Sequence, residues 1–192
     1  MTKIAVIFAD GCEEIEGLSQ IDVYRRLGLQ ADMVGLTDTH VTGSHKIPLT
    51  CDSVVSDDLL DYDVVSLPGG LPGAEYLRDN QQLQTIMQKR HAAGKWNAAM
   101  CAAPIALARY GLLNDADYTC YPGMDEQTKA DAPTGRFHED LVVVDQQQKI
   151  ITSRGPATAW AFAYAIAESQ GVNTKKLQDS MLYTMLKEHI ND

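Results

Sequence analysis

What this chain lacks narrows it first. Basic residues are short: 16 Lys and Arg face 26 Asp and Glu, a formal charge of -10 at pH 7 over 192 residues. A surface without positive excess has little to draw phosphates or anionic lipid, so nucleic acid and membrane surfaces are set aside as partners. Long apolar runs are missing too. Nothing approaches the roughly 20 apolar residues of a membrane span. The run Ile4 to Ala9 is interrupted by Asp10, far too soon for a signal-peptide core. The expected location is therefore the cytoplasm, where thiols stay reduced. Cys12, Cys51, Cys101 and Cys120 form no C-x-x-C pair and no zinc-type spacing with His40, His45, His91, His138 or His189. Neither a metal site nor a disulfide framework is signalled. Repeats, low-complexity tracts and Ser/Gly linkers are also absent, so a single domain over 1–192 is expected, with a hydrophobic fraction of 45% to fill its core.

What is present is an alternation. "KIAVIFA" (3–9) is a β-branched run suited to a strand buried on both faces, and "DGCEEIEGLSQIDVYRRLG" after it reads as a helix. Asp10 and Glu13 have capping-box spacing, and Gly28 is a natural stop after Arg25 and Arg26. Strands follow at 31–36 and 62–70, with a punctuated stretch at 40–57 that suits a small hairpin. Residues 73–93 read as one or two helices, 95–100 as a strand and 103–111 as a helix with Pro104 in its first turn. Strands at 117–122, 141–145 and 149–153 precede two helices, 156–170 and 173–189. This order predicts an α/β fold: a mainly parallel sheet with helices on both faces and ligands beyond the strands' carboxyl ends.

Two of those ends carry "PGG" and "MCAAP". Cys101 sits where a predicted strand meets a predicted helix, beside Ala102 and Ala103, which add little bulk. That is the arrangement of a nucleophile elbow, in which the side chain projects above the sheet and backbone N–H groups face it. A helix N-terminus also favours a thiolate. The plainer alternative is a small buried hydrophobe, the common fate of an intracellular cysteine. Glu16 bears on the choice. On a helical wheel it falls between Val23 and Leu27, away from Asp22 and Arg26, so its carboxyl group is expected to be partly buried, raised in pKa and protonated near neutrality. A neutral acid beside an anionic sulfur suits proton shuttling. Glu13 and Glu14 are read instead as first-turn acids complementing the helix dipole.

Taken together, "ADGCEEIEG", "VVSLPGGLPGAEYL", "AAMCAAP" and "TSRGPATA" resemble the DJ-1/ThiJ/PfpI superfamily, in its DJ-1/ThiJ branch and in register over nearly the whole chain. The resemblance implies a flavodoxin-like three-layer sandwich, usually a homodimer, with Cys101 as nucleophile and redox centre and Glu16 as its protonated partner. It also implies an oxyanion site built from the backbone of Gly69, Gly70 and Ala102. Arg154, Gly155 and Pro156 fall in a hallmark segment near the site and the dimer interface. Two departures matter. Ala102 stands where proteolytic branches carry histidine, which leaves a Cys-His pair unsupported. Tyr121 stands where some relatives place a histidine; its hydroxyl is a poor base at neutral pH but remains a candidate substrate contact. His138 is read as a surface-loop residue.

The glycine-rich 67–73 loop lacks both G-K-[ST] and G-x-G-x-x-G, so no nucleotide or other cofactor is implied. The leading expectation is a cofactor-independent glyoxalase or deglycase acting on a small carbonyl substrate or a glycated amine. The alternative is an oxidative-stress sensor or chaperone using the same thiol, and an intracellular cysteine peptidase comes third.

Overall fold

The computed structural model describes residues 1–190. Its elements run in chain order as β1 (Lys3–Phe8), α1 (Glu14–Arg26), β2 (Gln30–Gly35), the hairpin β3 (His40–Thr42) and β4 (Pro48–Thr50), β5 (Ser53–Val54) and β6 (Val64–Leu67). Then come α2 (Gly73–Asp79), α3 (Gln81–Ala92), β7 (Trp96–Met100), α4 (Pro104–Arg109), β8 (Asp117–Tyr118), α5 (Asp125–Asp131) and β9 (Arg136–Phe137). The chain continues through β10 (Val142–Asp145), β11 (Ile150–Ser153), α6 (Ala159–Ser169), α7 (Lys175–Ser180) and α8 (Tyr183–His189).

Seven strands form the main sheet in the order β10-β11-β7-β6-β1-β2-β5. All neighbours are parallel except β10, which pairs antiparallel with β11 at the edge. From β1 the chain builds outward through β2 and β5, then returns to β6 and builds the other way. Right-handed crossovers therefore put α1 on one face and α2 to α4 on the other. Consistent with that, α1 packs against α6, and α2 against α4. This is the flavodoxin-like architecture, and its central strands are apolar because both faces are covered: β1, β6 and β7 are buried almost throughout. The order reverses between β1 and β6, and the crevice beyond their carboxyl ends is where such sheets bind ligands.

Four local expectations need correction. The 117–122 segment holds only a two-residue strand, paired with β9 in a separate small sheet. Residues 173–189 form two helices, because Leu182 turns left-handed at φ 60° between them. Helix α5 lies in a polar stretch that the apolar spacing did not reveal. Asp10 is not the α1 cap: its carboxylate accepts the Thr42 N–H at 2.8 Å, while Glu13 caps the helix by accepting the Glu16 N–H at 2.8 Å.

Candidate active site

Three neighbouring strands, β7, β6 and β1, end at one edge, and the segment after each contributes one part of a cluster. The turn after β7 holds Cys101 at φ 60°, a left-handed conformation uncommon for a residue with a Cβ. Two hydrogen bonds fix it there: the Cys101 N–H donates to the Ser153 carbonyl at 3.0 Å, and its own carbonyl accepts the Tyr121 N–H at 2.8 Å. Cys101 keeps 8% exposure.

After β6, Gly69 passes so close to the turn that a Cβ on it would lie 2.7 Å from Cys101 Cβ, 2.8 Å from Ala102 N and 3.0 Å from Glu16 Oε2. Gly70 follows at φ 87°, where a Cβ would meet the Glu13 nitrogen at 2.3 Å. No side chain fits at either position, and the loop can approach the thiol only as glycine. The α1 segment supplies Glu16, wholly buried. Its Oε2 accepts the Gly69 N–H at 2.7 Å. Its Oε1 has no hydrogen-bond partner, and the carboxyl is near enough to the Cys101 thiol for the two groups to perturb each other.

Burial drives the Glu16 pKa up to about 7, against the pull of the Cys101 and Gly69 contacts. The Cys101 thiol is pushed up by burial and by the Glu16 charge, while the N–H groups of Gly70 and Ala102 draw it down. The two acids act as one unit that releases one proton before it resists releasing a second. With Glu16 protonated, its repulsion of the sulfur disappears.

The residues singled out from the sequence thus fall into three groups. Cys101, Glu16, Gly70 and Ala102 come together around the sulfur. Gly69 is beside it but supplies no free oxyanion donor, because Glu16 occupies its N–H; its contribution is closeness. Tyr121, 48% exposed, is tied to the turn through its backbone, and its ring lies over Gly155, where a Cβ would stand 3.3 Å from it. Arg154 stacks on Phe137, 5.9 Å from the ring centroid, and Pro156 opens a 3-10 turn. His138 is held by Asp117 at 2.7 Å. Burial raises Cys12 to about 12 and Cys51 and Cys120 to about 11, and it raises Cys101 as well, against the expectation of a favoured thiolate; what distinguishes Cys101 is the buried Glu16 carboxyl and the Gly70 and Ala102 N–H groups beside its sulfur.

Sequence reasoning missed three contributors. Ser153, whose carbonyl holds the elbow, lay inside a quoted motif but acts through its backbone. Gln20 is wholly buried; it donates to the Glu16 carbonyl at 3.0 Å and accepts from Ser66 Oγ at 2.6 Å. Its position four residues after Glu16 puts it in the same buried sector, a signal that was available. His45, on the β3–β4 turn, lies with Nδ1 2.8 Å from Glu14 Oε2 and 3.9 Å from Glu13 Oε1. A cavity of about 440 Å³ also opens near the β1 and β2 ends, between Asp10, Asp38, His40 and Tyr76, without Cys101 on its wall.

A cysteine at a strand-to-helix turn beside a buried acid is what the four sequence motifs led us to expect, and comparison with known proteins shows the family those motifs resemble. The DJ-1/PfpI family profile matches residues 2–169. The chain belongs to the DJ-1/PfpI family. Among DJ-1 proteins, Drosophila melanogaster dj-1beta is 36% identical over 171 residues, 88% of this chain and 89% of that protein. The crystal structure of Drosophila DJ-1beta superposes with a TM-score of 0.86 at 33% identity, covering 95% of this chain and 98% of the other. Protein DJ-1 homolog B of Arabidopsis thaliana is 36% identical over 170 residues, 86% of this chain, but the match spans only 37% of the plant protein's length. An oxidized Toxoplasma gondii DJ-1 structure is 33% identical with a TM-score of 0.84, covering 95% and 98% of the two chains. No helix among the described residues is long and apolar enough to cross a membrane.

Proposed function

We propose that this DJ-1-like protein is a cofactor-independent, cysteine-dependent glyoxalase or deglycase acting on small reactive carbonyls in the cytoplasm. The observation that carries the reading is the Glu16 carboxyl: it is wholly buried, one oxygen is held by the Gly69 N–H, the other is free of any hydrogen-bond partner, and the group lies close enough to the Cys101 thiol for each to shift the other's pKa. A buried acid with one oxygen so placed can give and take a proton at a group bound to that sulfur.

The steps then balance for methylglyoxal. The Cys101 thiolate attacks the aldehyde carbon, a C–S bond forms, and the carbonyl oxygen takes the Glu16 proton to give a hemithioacetal. Glu16, now ionised, removes the C–H proton from that carbon and returns it to the neighbouring carbon, while the hemithioacetal O–H proton passes to the second carbonyl oxygen; the first oxygen becomes the thioester carbonyl, the second a hydroxyl, and Glu16 regains its proton when water cleaves the thioester. The product is a thioester, which water cleaves to lactate and free thiolate. The N–H groups of Gly70 and Ala102 stabilise negative charge beside the sulfur. With a glycated amine the thiolate would form the C–S bond at the carbinol carbon as the C–N bond breaks, the amine leaving with the Glu16 proton, to give the same hemithioacetal. Purified protein should convert methylglyoxal to lactate without glutathione. Cys101→Ser and Glu16→Gln should each abolish turnover, and full activity in either removes the mechanism.

A second reading uses the same atoms: oxidation of Cys101 to a sulfinate held by the protonated Glu16 and the same amides, as in a stress sensor. The oxidized state described for the Toxoplasma relative supports it. Mild peroxide should then modify Cys101 before the other three cysteines, by peptide mass spectrometry. Peptidase chemistry has the least support, since Ala102 occupies the histidine position. The partner proposed for either activity is a second copy of the chain, for which the exposed Ile15 and Leu18 on α1 offer apolar contact.

A further inference from the structure

The β3–β4 hairpin is clipped onto the active-site loop. Gly11 N–H donates to the Thr42 carbonyl at 2.8 Å, and Ser44 N–H donates to the Cys12 carbonyl at 2.8 Å. The hairpin turn carries His45, whose backbone N–H donates to Glu14 Oε1 at 2.8 Å while its Nδ1 lies 2.8 Å from Oε2. Glu13 and Glu14 are both buried, although acids at the first turn of a helix are ordinarily solvated. Glu13 is also the α1 cap, and its Oε2 accepts the N–H of Glu16 itself. A continuous chain of contacts thus runs from an exposed imidazole to the acid beside Cys101.

We propose that the Glu13–Glu14–His45 cluster is a positioning element of the thiol–acid pair: Glu13 fixes Glu16 and presents it with a negative charge, and the His45 imidazole moderates that charge from the hairpin. The inference deepens the proposed function and rests on it, since it names what tunes that site. The electrostatics have a definite sign. The thiol–acid pair becomes more negative when it loses its proton, so a carboxylate nearby opposes the loss and a cation nearby assists it. Glu13 raises Glu16 in that sense. His45 is itself raised by Glu14 and then Glu13, so the cation persists above the ordinary imidazole range. The other groups around His45 are Ser44, with Oγ 3.1 Å from Nδ1, and Lys46 on the same turn. The Cys12 thiol, next to Glu13 in the chain, stays neutral. Glu13, Glu14 and His45 also bring donor atoms within 4.8 Å of one another, so the test must separate an imidazolium from a bound cation.

The experiment is the pH dependence of Cys101 alkylation by iodoacetamide, run without and with a chelator, in wild type, His45→Gln, His45→Arg and Glu13→Gln. The carboxyl carbon shift of Glu16 is followed by NMR in the same proteins, because that signal reports the cluster even if Cys101 alkylates like an ordinary thiol. His45→Gln should move both midpoints up by about 0.5 pH unit, about threefold slower alkylation at a fixed pH below the midpoint. His45→Arg should restore the wild-type midpoint, and Glu13→Gln, which keeps an oxygen to cap Glu16, should lower it. The shifts should shrink at high salt, as an exposed charge requires; loss of packing alone would not respond in that way. Equal midpoints in all four proteins would overturn the proposal. So would a wild-type profile that returns to that of His45→Gln on adding the chelator, since a metal ion would then be the cation.

Discussion

Replacing Glu16 by Gln isolates the electrostatic cost of the site. A carboxyl that holds its proton to about pH 7 in the folded chain, rather than to its ordinary 4.5, destabilises the fold by about 3 kcal/mol once ionised, at about 1.4 kcal/mol per pH unit. The sign follows from linkage. Between the two values the folded chain binds more protons than the unfolded one, so stability from this group is greatest below about pH 4.5 and falls until about pH 7, with no further loss above it. Gln keeps an oxygen for the Gly69 N–H and carries no charge, so it abolishes the fall. Cys101 offers the same charge a second seat, and the comparison is cleanest in a Cys101→Ser background. Urea unfolding of Cys101→Ser and of the double variant with Glu16→Gln should give similar stabilities at pH 5. At pH 8.5 the double variant should be more stable by about 2–4 kcal/mol, a midpoint higher by about 1–2 M. All other titrating groups cancel between the two proteins. A difference that is the same at both pH values would mean that Glu16 is ionised throughout, and the proton-shuttle argument would fall with it.

Two further outcomes follow from the geometry. Gly69→Ala puts a methyl group within 2.7 Å of Cys101 Cβ and 2.8 Å of Ala102 N; it should destabilise by about 1–3 kcal/mol and suppress Cys101 alkylation, both readable by thermal melting and mass spectrometry. Arg90, wholly buried, donates to the carbonyls of Leu59, Tyr62, Asp63 and Trp96 and to Asn97 Oδ1, so Arg90→Leu should lower stability by more than about 3 kcal/mol while leaving the Cys101 pH profile in place.

Much of this was legible in the chain because it is carried by local pattern. The alternation of buried runs and helical stretches revealed the parallel sheet, and the wheel position of Glu16 predicted its burial. A glycine pair after β6 and small residues around Cys101 pointed to a tight, ligand-facing edge. What escaped depends on contacts between residues far apart in sequence. Glu13, not Asp10, caps α1 because the hairpin claims Asp10 through Thr42, and no spacing within residues 10–16 encodes that competition. The Gly69 N–H was assigned to an oxyanion and is instead held by an acid 53 positions away. Arg90 reads as an ordinary C-terminal helix cation until the carbonyls it gathers are in place. The β10 edge reads as a strand in either direction, since an apolar run of four residues carries no sign of its neighbour's sense.

The positions where local rules fail are also where the chemistry converges. A left-handed cysteine costs on the order of 1 kcal/mol, and an ionised buried carboxylate costs more, yet both recur at one edge of a sheet whose strands are otherwise consistent at every level. Each unfavourable feature has a use that its neighbours cannot supply. The left-handed turn places the Ala102 N–H at the sulfur, where an extended turn would point it elsewhere, and the burial of Glu16 makes its proton available near neutral pH. Relieving either would stabilise the fold: Glu16→Gln removes the buried charge, and glycine at 101 removes the strain. That both would gain stability and lose the thiol–acid pair argues that the edge is shaped by reactivity, with the two-faced sheet supplying the stability it lacks.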